Sequence, residues 1–125
     1  MRHKYADGGY KIMGFFWERL NPDKHYPFTG NFKLKKDQSF EGETEDVFGA
    51  ATIKGKINDN PGMVVLSFTK EYLPGSTGYA NPILWALEFH KGSTLPGWRG
   101  FGIIQEPDGT ETPWQIACIL FTTDR

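Results

Sequence analysis

The chain has a single cysteine, Cys118, among its 125 residues, so it cannot form an intrachain disulfide. The neighbours of Cys118 in WQIACILF (114–121) are apolar, which is typical of a buried cysteine that packs as a small hydrophobic side chain. No apolar run approaches the roughly 20 residues needed to cross a bilayer. The first residues, MRHKYADGGYK, lack the apolar core of a signal peptide. We therefore expect a cytoplasmic protein with no membrane contact.

An excess of charge is also missing. Fourteen Lys and Arg residues stand against fifteen Asp and Glu residues, which gives a formal net charge of −1. Such a chain has no positive field that would hold nucleic acid. The one local basic run, Lys33, Lys35 and Lys36, is typical of a solvated strand face. We expect no nucleic-acid partner.

The short motifs of metal, nucleotide and nucleophilic chemistry are absent as well. The three histidines, His3, His25 and His90, are far apart in the sequence, and none forms an H-x-H or H-E-x-x-H pair. There is no G-x-S-x-G, no Cys-x-x-Cys and no glycine loop that would hold a phosphate. The sequence therefore predicts neither a metal nor a cofactor.

Aromatic residues and glycine are plentiful instead, with ten Phe, five Tyr, four Trp and 15 Gly. Aromatic side chains favour pleated surfaces, and glycines fit turns and bends. Apolar and polar residues alternate with a period of two along most of the chain, and no helical stripe competes with this pattern. The alternation and the turn-forming segments between the runs predict eight strands, at 10–20, 28–36, 39–45, 50–57, 63–72, 83–90, 98–105 and 114–121.

Short connections join these predicted strands in sequence, without a crossover helix. A meander of eight antiparallel strands has two unpaired edges unless it closes into an up-and-down barrel. Glycines inside strands weaken a flat sheet but relieve crowding where barrel strands bend, and this chain has them at 14, 30, 42, 55, 100 and 102. We predict one all-β domain, with residues 1–9 as an N-terminal segment and 10–121 as the barrel.

The segments FTGNFKL, FEGETEDVFGAATIKGKI, VLSFTKEY and PGWRGFG resemble the streptavidin-like and lipocalin-like small barrels, the calycin group. The resemblance covers nearly the whole chain and implies a closed eight-stranded barrel. Lipocalins carry a G-x-W motif with a basic side chain over the Trp. Here the spacing in GFFW (14–17) is one residue longer, and Arg125 or Arg99 would cover Trp17. Biotin-binding relatives carry an Asn and a Gly-Ser after the Trp, and ERLNPDK lacks the Gly-Ser, so biotin binding is not expected.

The predicted sixth strand, ILWALEFH, carries large apolar side chains on one face and Glu88 and His90 on the other. The apolar face should point to the barrel axis. Such aromatic walls line small-molecule pockets but also fill solid cores, and the sequence leaves both open. Our first hypothesis is a non-enzymatic pocket for a small apolar or aromatic ligand inside the barrel. Its expected ligand-binding residues are Trp85, Trp98, Trp114 and Phe32, with Tyr79 in the loop LPGSTGYANP (73–82), which would act as a lid over one barrel end or dock a partner.

The alternative is a protein-interaction or structural module with a solidly packed barrel. The predicted strands at 63–72 and 114–121 are apolar on both faces, which predicts an outer wall covered by a neighbouring subunit or by the N-terminal segment. A homo-oligomer through the barrel walls is the expected assembly. An enzyme is the lesser alternative, in which folding brings an acid–base cluster to a barrel end, formed by Glu71, Glu88, His90 and Arg99.

Overall fold

A computed structural model describes residues 5–94 and 97–123. These residues form a closed antiparallel barrel in which each strand pairs with the next and the last pairs with the first. The predicted all-β up-and-down barrel is therefore confirmed. The described part of the chain contains no helix long and apolar enough to cross a membrane. The strands are β1 (Gly8–Glu18), β2 (Tyr26–Leu34), β3 (Ser39–Asp46), β4 (Gly49–Asn60), β5 (Met63–Tyr72), β6 (Ile83–His90), β7 (Trp98–Gln105) and β8 (Glu111–Thr122).

The strand bounds follow the sequence pattern closely for β5, β6 and β7, which match their predicted ranges. Strand β4 is longer than predicted and runs to Asn60, because the turn into β5 needs only Pro61 and Gly62. Gly62 has a φ of 80°, a conformation that glycine adopts without a steric penalty. Strand β1 begins at Gly8, inside the predicted N-terminal segment, because Gly8 and Gly9 already pair with the end of β2.

Alternation along the strands decides which side chains fill the barrel. On β6, Ile83, Trp85 and Leu87 are fully buried, whereas Leu84 and Glu88 are exposed. The other strands alternate in the same way, and their inward side chains form one continuous core. Burial of these large apolar side chains is the main favourable contribution to folding.

Several strand glycines lie where a neighbouring strand comes too close for a side chain. A Cβ atom at Gly100 would lie 1.8 Å from the carbonyl oxygen of Ala86, and one at Gly14 would lie 2.0 Å from that of Ala117. Real Cβ atoms do not make such contacts, so these positions accept only glycine on this backbone. The glycines that look unsuited to a flat sheet thus permit the close strand approach of the barrel.

The two ends of the barrel differ. At one end, the backbone N–H of Tyr5 donates to Oε1 of Gln38 at 3.0 Å, and Nε2 of Gln38 donates to the carbonyl of Tyr5 at 2.9 Å. The Tyr5 ring lies 6.1 Å from that of Trp98. We call this the Tyr5 end. The described N-terminal residues therefore cover a barrel end. They do not cover the outer wall, for which the N-terminal segment was one of the two predicted covers. The opposite end, which carries loop 73–82, is the Tyr79 end.

The outer surface divides into two walls of different character. Strands β2, β3 and β4 expose charges of both signs, including Lys33, Glu43 and Lys54, and we call this the charged wall. Ten large apolar side chains are exposed in the described part of the chain, and seven of them lie on the adjacent strands β6, β7, β8 and β1. This second surface is the apolar wall, and its seven members are Met13, Phe15, Leu84, Phe101, Ile103, Ile119 and Phe121.

Candidate ligand site at one end of the barrel

The middle of the barrel is packed around Trp85, the first of the expected ligand-binding residues. Trp85 is 1% exposed, and its ring lies 6.0 Å from that of Phe16. The space enclosed there has no volume that a water-sized sphere can occupy. The interior of the barrel is filled by side chains in this region, and Trp85 is part of the packed core. The residues around this space are Phe16, Phe28, Thr44, Phe68, Lys70, Trp85 and Ile116.

Two further expected residues, Phe32 and Trp98, lie towards the Tyr5 end. The ring of Phe32 lies 4.3 Å from that of Phe40 and 5.3 Å from that of Tyr10. Trp98 packs between Tyr5 and Phe89. The structure therefore does not bring Phe32 and Trp98 together with the remaining two residues, which lie at the opposite end.

Trp114 and Tyr79 meet in a pocket at the Tyr79 end. This mouth pocket has a volume of about 320 Å³. Strand β8 supplies Trp114, loop 73–82 supplies Tyr79, and the ends of other strands complete the wall. Because side chains from five separate segments converge, no contiguous motif marks the site in the sequence. The described lining residues are Glu18, Tyr26, Phe48, Thr77, Gly78, Tyr79 and Trp114.

Aromatic rings form most of the mouth pocket. The Tyr26 ring lies 5.1 Å from Phe48 and 5.8 Å from Trp114, at tilted angles. Phe16, one layer further into the core, packs against all three rings at 5.7 to 6.4 Å. Stacked and tilted ring contacts at these distances are favourable beyond simple burial. The rings are thus held in position by the core that lies against them.

Three polar groups accompany the rings. The Tyr79 hydroxyl donates to Oε1 of Glu106 at 3.3 Å. The other carboxylate oxygen of Glu106, Oε2, is buried and has no hydrogen-bond partner among the described residues, and the same is true of Nε1 of Trp114. Burial raises the pKa of Tyr79, and the negative charges of Glu106 and Glu18 raise it further. Tyr79 therefore remains a neutral hydrogen-bond donor at physiological pH.

Loop 73–82, predicted to act as a lid or to dock a partner, is attached to the rim of this end of the barrel. The backbone N–H and the hydroxyl of Thr77 both donate to the carbonyl oxygen of Phe48, at 2.8 and 3.1 Å. Gly78 lies against the ring of Tyr72, where an added Cβ would be only 2.4 Å away. The loop is therefore tied to the β3–β4 turn and to β5, and it carries Tyr79 into the pocket wall.

A buried ion pair lies next to the mouth pocket, and the sequence analysis missed it. Nζ of Lys70 donates to Oδ2 of Asp46 at 2.7 Å, and the Tyr72 hydroxyl donates to the same oxygen at 2.8 Å. Oδ1 of Asp46 accepts the backbone N–H of Phe48 at 2.8 Å. Burial lowers the pKa of Lys70, and the Asp46 charge partly opposes that shift. The sequence did contain one indication of a buried charge. Lys70 continues the period-two series of Val64, Leu66 and Phe68, which share its face of the strand.

The acid–base cluster that an enzyme would need does not form at either barrel end. Glu88 and His90 project outward from β6, with His90 Nε2 3.1 Å from Glu88 Oε1 in an exposed pair. Arg99 is the partner of Glu88 on β7 and is exposed on the same outer wall. Glu71 is exposed on β5. Within the described ranges, no three His, Cys, Asp or Glu side chains are grouped closely enough to hold a metal ion.

Trp17, the tryptophan of the lengthened lipocalin-like motif, has its own partners. Its Nε1 donates to Oε1 of Gln115 at 3.0 Å, and the ring of His25 lies 4.6 Å from its ring. Arg125, one of the two residues expected to cover it, lies outside the described residues.

A second concave surface lies on the outside of the barrel. This outer groove has a volume of about 390 Å³ and runs over strands β2, β1, β8 and β7. Phe15 and Ile119, both members of the apolar wall, line it together with Pro27 and Ala117. The groove extends the apolar wall onto β2.

Compared with protein families, with curated proteins and with solved structures, the chain matches none.

Proposed function

We propose that this barrel binds a small aromatic or apolar molecule in the mouth pocket, without catalysing a reaction. The observation that carries the proposal is the mouth pocket itself, about 320 Å³ in volume and lined by the aromatic side chains of Tyr26, Phe48, Tyr79 and Trp114. Large aromatic side chains favour contact with apolar and aromatic surfaces over contact with water. A small ligand of that kind would cover the part of these rings that the pocket leaves open.

The location differs from the one that the sequence suggested. The space beside Trp85 is filled, whereas the mouth pocket has ligand-sized room next to Trp114 and Tyr79. Pockets of about 300 Å³ and above, apolar and with a few directed polar groups, are typical of small-molecule sites. The proposal therefore keeps the ligand class and moves the site from the middle of the barrel to its end.

Nuclear magnetic resonance of the indole N–H groups tests this proposal. Indole and p-cresol serve as neutral aromatic probes, and the Trp114 signal is the one that disappears in Trp114→Phe. We expect the Trp114 signal to shift saturably, while the signal of Trp98, at the opposite end, stays in place. Trp98→Phe is the matched control and should bind the probes as the unchanged protein does. Absence of a saturable shift at Trp114, or equal shifts at both residues, would overturn the proposal.

A second function is favoured by the apolar wall: a structural module that pairs with a second copy of itself. Seven of the ten exposed large apolar side chains gather on four neighbouring strands, and clusters of this kind mark interaction surfaces. The charged wall offers no comparable surface. A two-fold dimer covers the same patch on both copies at once, so pairing through this wall would bury exposed members of the cluster on both copies. This is the homo-oligomer through the barrel walls that the sequence suggested.

Membership of the calycin group and a cytoplasmic location belong to the same proposal. The closed eight-stranded up-and-down barrel supports the first, although the spacing of Gly14 and Trp17 departs from lipocalins. The single buried cysteine is compatible with the second, because proteins of reducing compartments do not depend on disulfides.

A further inference from the structure

We infer that the ligand of the mouth pocket carries an organic cation, an alkylated ammonium group; this inference rests on the proposed function. Four of the described lining residues are aromatic: Tyr26, Phe48, Tyr79 and Trp114. The face of an aromatic ring carries a partial negative charge that attracts ammonium groups, and sites built from several such rings recognise quaternary ammonium ligands. The ring geometry alone would also suit a neutral aromatic molecule, so the charges of the site decide between the two.

The charged side chains in contact with the mouth pocket or its lining are negative. Glu18 lines the mouth pocket, and Glu106 binds the Tyr79 hydroxyl. Both carboxylates act on that hydroxyl, because each of them raises the pKa of Tyr79. None of the described residues that line the pocket is basic. Neither Glu18 nor Glu106 has an ion-pair partner within the described part of the chain.

Lys70, in the buried ion pair next to the pocket, does not change this balance. Its Nζ lies 2.7 Å from Asp46, which neutralises it. The rings that Lys70 contacts are those of Phe16, Phe28 and Tyr72, and none of them lines the mouth pocket.

Two other ligand classes fit this site less well. An anion would be repelled by Glu18 and Glu106. A neutral molecule would dehydrate the Glu18 carboxylate, which lines the pocket, without compensating its charge, and an uncompensated charge is costly away from water. An alkylated ammonium group presents methyl or methylene surface to the rings and positive charge to the carboxylates. It therefore satisfies both features of the pocket at once.

Choline and its uncharged isostere 3,3-dimethylbutan-1-ol test the inference on the full chain. Both are titrated at constant ionic strength while the Trp114 indole signal is followed. We expect choline to bind at least about tenfold more tightly, because a desolvated cation–π contact is absent with the isostere. Equal affinities, or no binding of choline while indole or p-cresol still binds, would overturn the inference and leave the proposed function standing. No binding of any of these probes would overturn both.

Substitutions separate the charge effect from a structural effect. Glu18→Gln keeps the size of the side chain and removes its charge, so we expect choline to bind several-fold more weakly and indole to bind unchanged. Tyr79→Leu removes a ring and should weaken both probes. The matched control is Glu41→Gln on the charged wall, where an exposed carboxylate is removed from the part of β3 nearer the Tyr5 end. Equal loss of choline binding in Glu18→Gln and Glu41→Gln would count against a local role for Glu18.

Discussion

Nζ of Lys70 lies 2.7 Å from Oδ2 of Asp46 in the interior of the barrel, where the two side chains are 4% and 0% exposed. The two residues belong to β5 and β3, which are separated by β4. The ion pair therefore spans a strand that lies between its partners. Asp46 also accepts hydrogen bonds from Tyr72 and from the backbone of Phe48, so its charge is well compensated.

Removing both partners of this pair should cost less than the sum of the costs of removing each one alone. Asp46→Asn leaves a buried ammonium group without its counter-charge, and such losses reach about 3–5 kcal/mol of unfolding free energy. The double variant Lys70→Met/Asp46→Asn leaves no buried charge, so we expect it to lose clearly less than the sum of the two single variants. Urea unfolding of the four proteins measures the coupling. Strictly additive losses would show that the pair does not act as a unit.

Cys118 should make stability fall in alkaline solution. Burial raises its pKa from 9.0 to about 12. Below pH 9 the thiol is protonated in both states and its contribution is fully present. As the pH rises from 9 to 12, the unfolded chain loses the proton and the folded chain keeps it. Stability then falls by about 1.4 kcal/mol per pH unit from this group.

Comparison with Cys118→Ala isolates this effect from the tyrosines, which both proteins share. Urea unfolding is measured from pH 8 to pH 11 with a reductant present. Above pH 9, we expect the free energy of unfolding of the unchanged protein to fall relative to that of the variant. A difference that stays constant with pH would show that the thiol is not shielded in the folded state.

Two glycines of β7 should tolerate alanine to different degrees. At Gly100 the added Cβ would meet the backbone oxygen of Ala86 at 1.8 Å, and at Gly102 it would meet the ring of Trp85 at 2.6 Å. A side chain can shift more readily than a strand backbone. Overpacking commonly costs about 1–3 kcal/mol, and we expect Gly100→Ala to exceed Gly102→Ala. Thermal unfolding of both variants measures the order, and the reverse order would contradict this account of strand approach.

The apolar wall predicts how self-association responds to charge. Phe15, half exposed on β1, borders the outer groove, and Phe15→Lys would place a charge in the proposed dimer contact. We expect the unchanged protein to sediment as a dimer at micromolar concentration and Phe15→Lys as a folded monomer. Glu43→Lys on the charged wall is the matched control and should remain dimeric. A monomer before any substitution would rule out pairing through this wall.

The fold could be predicted because period-two alternation is local information. Strand β6 illustrates this: the apolar face with Trp85 and Leu87 turned inward, and Glu88 and His90 turned outward, as the alternation indicates. The same spacing places Lys70 on the inward face of β5. The compensation of its buried charge depends on Asp46, two strands away. That contact is set by the stagger of β3, β4 and β5, which alternation does not encode.

The mouth pocket was only partly predictable for a similar reason. Trp114 and Tyr79 are among the residues expected to bind a ligand, and both line it. Phe48 and Glu18 carry no distinguishing pattern, because they lie at a turn and at a strand end. The way in which loop 73–82 is attached to the rim of the barrel depends on single hydrogen bonds such as those of Thr77. Loops have no periodicity from which such bonds could be inferred.

The pairing of β1 with β8 has a consequence for how the barrel assembles. The other seven pairings join consecutive strands, whereas this one joins Tyr10 to Thr122 and Glu18 to Trp114. Contacts between residues about a hundred positions apart are entropically the costliest to form. We therefore expect an open, curved sheet to precede closure. In that intermediate both β1 and β8 are unpaired edges with apolar outer faces, so aggregation competes with folding at this one seam.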